Sequence, residues 1–489
     1  MNKVTPQRFF LYLSLCYLLL AFSAPSAKSQ SRELWSSPIQ LHLLSSGDAT
    51  AFPDAVADSF GRLHVVTVRN PRGQEADYPK GIVYYTRWDG EQWTRPLDIL
   101  AAPNQNTSGV ERLRVSPDGQ LYLLWSELNS GLYWSRSISL DAASAQAWTT
   151  ELAAARATVG DFVFTSEQDV ALVYVDNSRD IYFRGTTDGG ANWTHDILIW
   201  SPQTDRQATF TVRFESDANG VYHVVWTEND QDLGWEPSGI WYARSVDRGQ
   251  TWQDFYHVPD QGSFINVGFD STGNVHLLWD HSVGSEDGRY HAISHDGGVT
   301  WSEPRWIFPG LSGRTGFPRM ILDSTGRFHQ FTSGRGNGLE GGIYHSIWLD
   351  DRWSDPVLVS DPVPDNNNEG PVVAITNGNL LHVVYRNVRE IGDILYSHLT
   401  IDAPYKESDM FPAVPPIAAG VAEADVGETR QSHQGQNTDR RTETIDATRQ
   451  PLASSPPPFV MSQSTVVLLA VFPVILLLAA VILLHRRRI

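Results

Sequence analysis

Seven charged residues at comparable places in a repeated pattern are the first candidates for chemistry: Arg69, Glu127, Asp176, Glu228, Asp280, Arg335 and Arg386. Each stands just past a run of β-branched and aromatic residues, the composition of a strand. If those runs are equivalent strands of one ring, the charges crowd one opening. Guanidiniums and carboxylates mixed at such a mouth can hold a polyhydroxylated ligand or an ion. They can equally pair with one another and only solvate the opening. Long segments beginning at Arg69, Thr227 and Ser333 would wall the mouth, with Tyr78 and Trp235 as sugar-stacking candidates.

A second set of acids sits in a repeated turn. "SHDGGVTW" (Ser294–Trp301), "SVDRGQTW" (Ser245–Trp252) and "TTDGGANW" (Thr186–Trp193) share one pattern. Asp188, Asp247 and Asp296 can accept backbone N–H groups within the turn, and the glycines permit its backbone. Such carboxylates ionise easily, the wrong direction for a proton donor. The structural reading therefore comes first, with Trp193, Trp252 and Trp301 folding inward to bury apolar area between units. His223, His276, His329 and His382 recur every 53 residues. They would bind a metal only by converging on an axis, and packing within half-buried strands is the simpler reading. No cysteine cluster, HExxH or phosphate-binding glycine loop occurs, so neither a metal nor a cofactor is expected. Ca²⁺ at the oxygen-rich "DPVPDNNNE" beginning at Asp361 is a weaker alternative to a polar loop. Asn106 and Asn192 fit glycosylation sequons.

The elements that would position these residues repeat seven times. One unit reads "SDANGVYHVVWTE" at Ser216, "FDSTGNVHLLWDH" at Phe269 and "ITNGNLLHVVYRN" at Ile375. It is a strand, a tight Asp/Asn-Gly turn and a second strand. A third strand follows, then a Trp-led fourth, except after the last unit. The missing strand stands instead at the start, as "WSSPIQLHLL" from Trp35. Units that cannot bury themselves alone bury one another in a ring, and this offset would close it and hide two sheet edges. The expectation is an all-β fold: a β-propeller of seven four-stranded blades over residues 31–403, closed by the N-terminal strand. A six-bladed ring with one stray repeat is the alternative.

The acidic turns and the ring of repeats resemble the Asp-box (BNR) repeats of the sialidase-like superfamily. The resemblance implies a propeller with those turns on the face opposite the ligand site. It implies activity less firmly, because the same repeats occur in non-enzymatic propellers. An exo-sialidase would need three arginines on a carboxylate, a Tyr–Glu pair and an acid/base Asp. Where the family has Arg-Ile-Pro, this chain has Ala51-Phe52-Pro53; Arg69, Arg335 and Arg386 could supply a triad from other positions.

The ends of the chain read as targeting segments. Residues 1–29 combine Lys3, Arg8 and an apolar run from Phe9 to Phe22, as in a signal peptide. Residues 404–463 lack strand alternation and are expected to form a disordered stalk. Within 464–485, the apolar run Val466–Leu484 has the 19 residues of one membrane-spanning helix, followed by Arg486–Arg488 in a cytoplasmic tail at 486–489. The sole cysteine, Cys16, lies in the leader, so no disulfide is expected after cleavage. Without the three cations at each end, the formal charge of −19 becomes −25, which disfavours nucleic acid. Three readings follow: a membrane-anchored extracytoplasmic propeller binding glycan or protein, a sialidase-type glycoside hydrolase, or an architectural surface protein.

Overall fold

Each repeat forms one antiparallel sheet, because its apolar runs alternate faces and a three-residue loop joins its first two strands, as between Asp58 and Arg62 or between Asp270 and Asn274. In the computed structural model there are seven such sheets of four strands, six in sequence order and the seventh completed by the N-terminal strand. A short fifth strand joins two of them: Asp48–Thr50 in blade 1 and Val363–Pro364 in blade 6. The six-bladed alternative is thereby excluded. The structure describes residues 35–410 except 42–47, 51–52, 72–80, 107, 282–287, 310, 312–315, 336–339, 360–362, 365–367 and 388–392. Among the described residues no helix is long and apolar enough to cross a membrane. The leader and the expected span lie outside them.

The first strands of the blades are Asp54–Ala57, Ser108–Val115, Ala157–Phe164, Gln207–Ser216, Gly262–Phe269, Arg319–Leu322 and Asn368–Thr376. Each lies against the first strand of the next blade, and the seventh lies against the first. These strands are therefore the inner wall. Ile39–Gln40 pairs with the third strand of blade 7, Asp393–Thr400, through Ile39 opposite Tyr396. Backbone bonds from Ser36 N to His398 O and from Leu41 N to Ile394 O, both 2.9 Å, extend the seam.

The tryptophan at the head of each fourth strand reaches back to the preceding blade. Trp193 meets Trp134 at 5.5 Å, Trp252 meets Phe183 at 5.8 Å and Trp301 meets Tyr242 at 4.8 Å. Trp93 meets Tyr396 of blade 7, and Trp35 meets Phe331 of blade 6 at 5.8 Å. Trp35 thus does for blade 7 what the other tryptophans do for their own blades. Residues 404–410, expected to belong to the stalk, run instead along the turns between first and second strands. Lys406 N donates to Asn377 O (2.8 Å) and Asp409 N to Ser59 O (2.9 Å).

Candidate axial site

Counting four residues back from the opening residue of each first turn (58, 116, 165, 217, 270, 323 and 376) gives one inner-wall residue per blade. In blade order these are Asp54, Arg112, Asp161, Arg213, Asn266, Arg319 and Val372. The cationic members are alike, but the acids lie only on one side. Asp161 accepts Arg112 Nε at 2.7 Å and a second guanidinium N–H on its other oxygen. It also accepts the backbone N–H of Phe162 (2.8 Å) and Phe214 (3.2 Å). Burial opposes its charge, but Arg112 and then Arg114 outweigh that and hold the carboxyl well below the usual range. Asp54 accepts Leu113 N at 2.7 Å.

On the other side stand Arg213 and Arg319, with Asn266 between them in the ring. Asn266 donates to Pro318 O (2.8 Å) and accepts Val267 N (3.0 Å), so it offers no charge. Nε of Arg213, and Nε and Nη1 of Arg319, are buried without a hydrogen-bond acceptor. Arg213 lies over Phe317, 3.6 Å from the ring centroid, and Arg319 is 5.8 Å from the same ring. Burial, then the charges of Arg112 and Arg213, push Arg319 down to about 9; burial and Arg112 push Arg213 down to about 10. Both stay cationic at neutral pH, and both would gain from an anion.

The anion has a place to go. A cavity of about 290 Å³ opens above the ring, lined among others by Asp54, Glu111, Arg213, Phe317, Arg319 and Arg386. Its walls come from the starts of the first strands, where β-bulges break the ladder and re-aim side chains. Glu111 is the extra residue of the bulge between Val110 and Arg112; Gly370 and Pro371 occupy the one between Glu369 and Val372. Burial raises the Glu111 carboxyl, and Ser126 Oγ donates to it at 2.7 Å. Arg386 is ion-paired with Glu369. Asp54 and Arg319 also line a lower cavity of about 360 Å³, so the ring is a constriction in the axial passage.

Of the seven residues expected at the mouth, Arg386 alone is among the described residues lining this cavity. Glu127 is buried and accepts Asn104 N (2.9 Å), Asn106 N (3.1 Å) and Tyr133 Oη (3.2 Å). Burial opposes its charge, and these bonds still hold it below the ordinary value. Asp176 pairs with Arg156 at 3.2 Å. Glu228 accepts the indole N–H of Trp200 (2.5 Å) and of Trp241 (3.1 Å), and burial raises it. Asp280 is fully buried against Arg289 at 3.1 Å. Arg69 is half-buried and Arg335 exposed at the ends of their strands. These residues end second strands, one layer outside the wall. Trp235 is exposed; Tyr78 and most of the segment from Asp361 lie outside the described residues. The signal that finds the inner set is the repeat register itself, read at one column of the first strand.

The acidic turns lie on the face away from the cavity. Asp296 accepts Thr300 N (2.8 Å) and Thr300 Oγ1 (2.6 Å), and these bonds hold its carboxyl well below the usual range. Asp188, bonded to Thr186 and Asn192, is lowered to about 2. The repeated histidines find their hydrogen-bond partners within their own blades. His276 Nδ1 meets His291 Nε2 at 2.9 Å and its Nε2 meets Asp270 at 3.3 Å; His329 repeats this with His345 (2.8 Å) and Asp323 (3.4 Å). His382 meets Tyr396 Oη and Thr376 Oγ1, each at 2.8 Å.

No protein-family model matches the sequence, and no curated protein is significantly similar to it. Solved structures do match. An ulvan lyase of a new polysaccharide-lyase family, bound to -[GlcA(1-4)Rha3S]-, aligns with a TM-score of 0.52 at 9% identity, over 74% of this chain and 96% of that one. A protein of unknown function from Dyadobacter fermentans aligns at 0.49 and 17% identity, over 75% and 99%. A Hadza microbial sialidase aligns at 0.43 and 14%, over 72% and 66%. At these identities the likeness is one of fold.

Proposed function

We propose that this chain is a carbohydrate-binding propeller, distantly related to the sialidase-like group, and that its ligand is an acidic glycan held in the axial cavity. The observation that carries the reading is the pair Arg213 and Arg319, which bring three buried nitrogens without acceptors, Arg213 Nε and Arg319 Nε and Nη1, beside an open cavity. A sugar carboxylate supplies the acceptors and the charge together, the strongest kind of hydrogen bond to a guanidinium. Glu111 and Asp54 line the same cavity and can accept from neighbouring hydroxyls. The ulvan lyase with the same fold is bound to a uronate-containing saccharide, which supports this ligand class. We further propose that the leader exports the propeller and that the C-terminal run anchors it to a membrane. Residues 404–410, the last described, lie on the face opposite the cavity.

A hydrolytic reading has one observation in its favour: Glu111, a carboxyl raised by burial, shares the cavity with the arginines. Sialidase chemistry also needs a tyrosine nucleophile, and no tyrosine is among the described residues lining the cavity. Convergent arginines without that partner favour binding. The test is calorimetric titration of the full-length protein in detergent with acidic and neutral monosaccharides. Uronic or sialic acids bind and their neutral counterparts bind at least 10-fold more weakly; Arg319→Met lowers the acid's affinity about 10–100-fold. Equal affinity for acid and neutral sugars refutes the reading. Release of the fluorophore from a fluorogenic sialoside would instead establish the hydrolase.

A further inference from the structure

Gly109 lines two cavities at once. One is the axial cavity; the other is a shelf of about 570 Å³ between blades 2 and 3, on the same face. The shelf is furnished by Ser126, Asn129, Arg156, Thr158, Asn177 and Ser178. Hydroxyls, amides and one guanidinium are groups that meet sugar hydroxyls through both donors and acceptors. Among the described residues, eleven other than glycine have positive φ, and four of them border this one cavity: Asn129 (63°), Arg156 (61°), Asn177 (50°) and Ser178 (56°). Backbone held in the left-handed region costs of order 1 kcal/mol per residue and gathers where a ligand must be met. Between the cavities the wall dips at Gly109. A Cβ there would stand 3.3 Å from Ser126 Oγ and 3.6 Å from Glu111 Oε1, so any longer side chain would rise into the passage. Ser126 Oγ, which borders the shelf, donates to Glu111 of the axial cavity and ties the two walls together.

We infer that axial cavity and shelf are consecutive subsites of one groove, and that the ligand is an acidic oligosaccharide. Its carboxylate sits on Arg213 and Arg319, and its next sugar units cross Gly109 onto the shelf. This rests on the reading of the axial cavity as a sugar-acid site. The geometry makes affinity depend on chain length: a monosaccharide fills only the axial end, whereas a dimer or trimer also meets Asn129, Asn177 and Thr158.

The test is calorimetry on the full-length protein with glucuronic, galacturonic and N-acetylneuraminic acid, and with oligomers of each containing two to four units. At least one series binds 10-fold or more tightly as trimer than as monomer. The double variant Asn129→Gly/Asn177→Gly brings that ratio below about 3-fold. Glycine takes up both backbone conformations freely, so the variant folds, and an unchanged melting temperature verifies it. Arg319→Met weakens monomer and trimer alike. A monomer that binds through Arg319 with no gain from added units overturns the groove and leaves the axial site standing. A length gain that survives the double variant also overturns it. If no acid of any length binds, the axial reading falls and the groove with it.

Discussion

A guanidinium enclosed by protein without acceptors is worse off than in water, and Arg319 has two such nitrogens. Fold stability and ligand binding therefore pull on this residue in opposite directions. Arg319→Met, which keeps the volume and removes the charge, is expected to raise stability by about 1–3 kcal/mol in chemical denaturation while weakening acid-sugar binding about 10–100-fold. A loss of both would mean that the arginine holds the ring together. Gly298 poses the contrary case: it has φ 91°, and a Cβ there would stand 1.8 Å from Tyr242 Oη of the preceding blade. Gly298→Ala should lower the melting temperature by several degrees without touching ligand affinity. At this scale the sequence was half legible. Asp188, Asp247 and Asp296 were read as turn acids from their spacing, and their hydrogen bonds fit that role. Arg213 and Arg319 were not singled out, because function does not repeat. Their column runs through Asp, Arg, Asn and Val, so no consensus marks it.

Strands and turns were the most legible elements, since seven copies of one pattern constrain one another. Bulges were not visible. The insertion of Glu111, or of Gly370 and Pro371, shifts alternation locally and decides what faces the axis. Five of the seven blades also carry a buried histidine on the second strand, His64, His223, His276, His329 and His382, and these set the protein's response to acid. Burial holds His276, His291 and His329 below the ordinary 6.5, and His345 and His382 down to about 3. The unfolded chain takes up protons below pH 6.5 while the folded chain does not, so it gains on the folded state. The contribution of these residues is complete above pH 6.5 and is lost as pH falls from there toward 3. Melting temperatures should be flat between pH 7 and 8 and decline steadily below pH 6.5. A melting temperature unchanged down to pH 4 would show that the histidines are not the acid-labile elements.

The whole molecule is a ring sealed by a segment from its own beginning. His398 N donates to Ser36 Oγ at 2.9 Å across a separation of 362 residues, and Trp35 packs on blade 6 as part of blade 7. A fragment of residues 31–410 should unfold in one cooperative transition, at the same temperature with or without reductant. Ending it at residue 403 removes the segment bonded to Ser59 and Asn377 and should lower that temperature. Removing residues 35–41 bares the edge of Asp393–Thr400, and the expected outcome is aggregation seen by light scattering. Closure was legible because a missing strand at one end matched an extra one at the other. The axial cavity was not, because residues from blades 1, 2, 4, 6 and 7 meet there only once the ring exists. That sets an order of events at birth. The strand at residues 39–40 emerges early and has no mate until the seventh blade follows it, so a half-made chain has no assembled pocket and no axial cavity to fill before synthesis has passed residue 400.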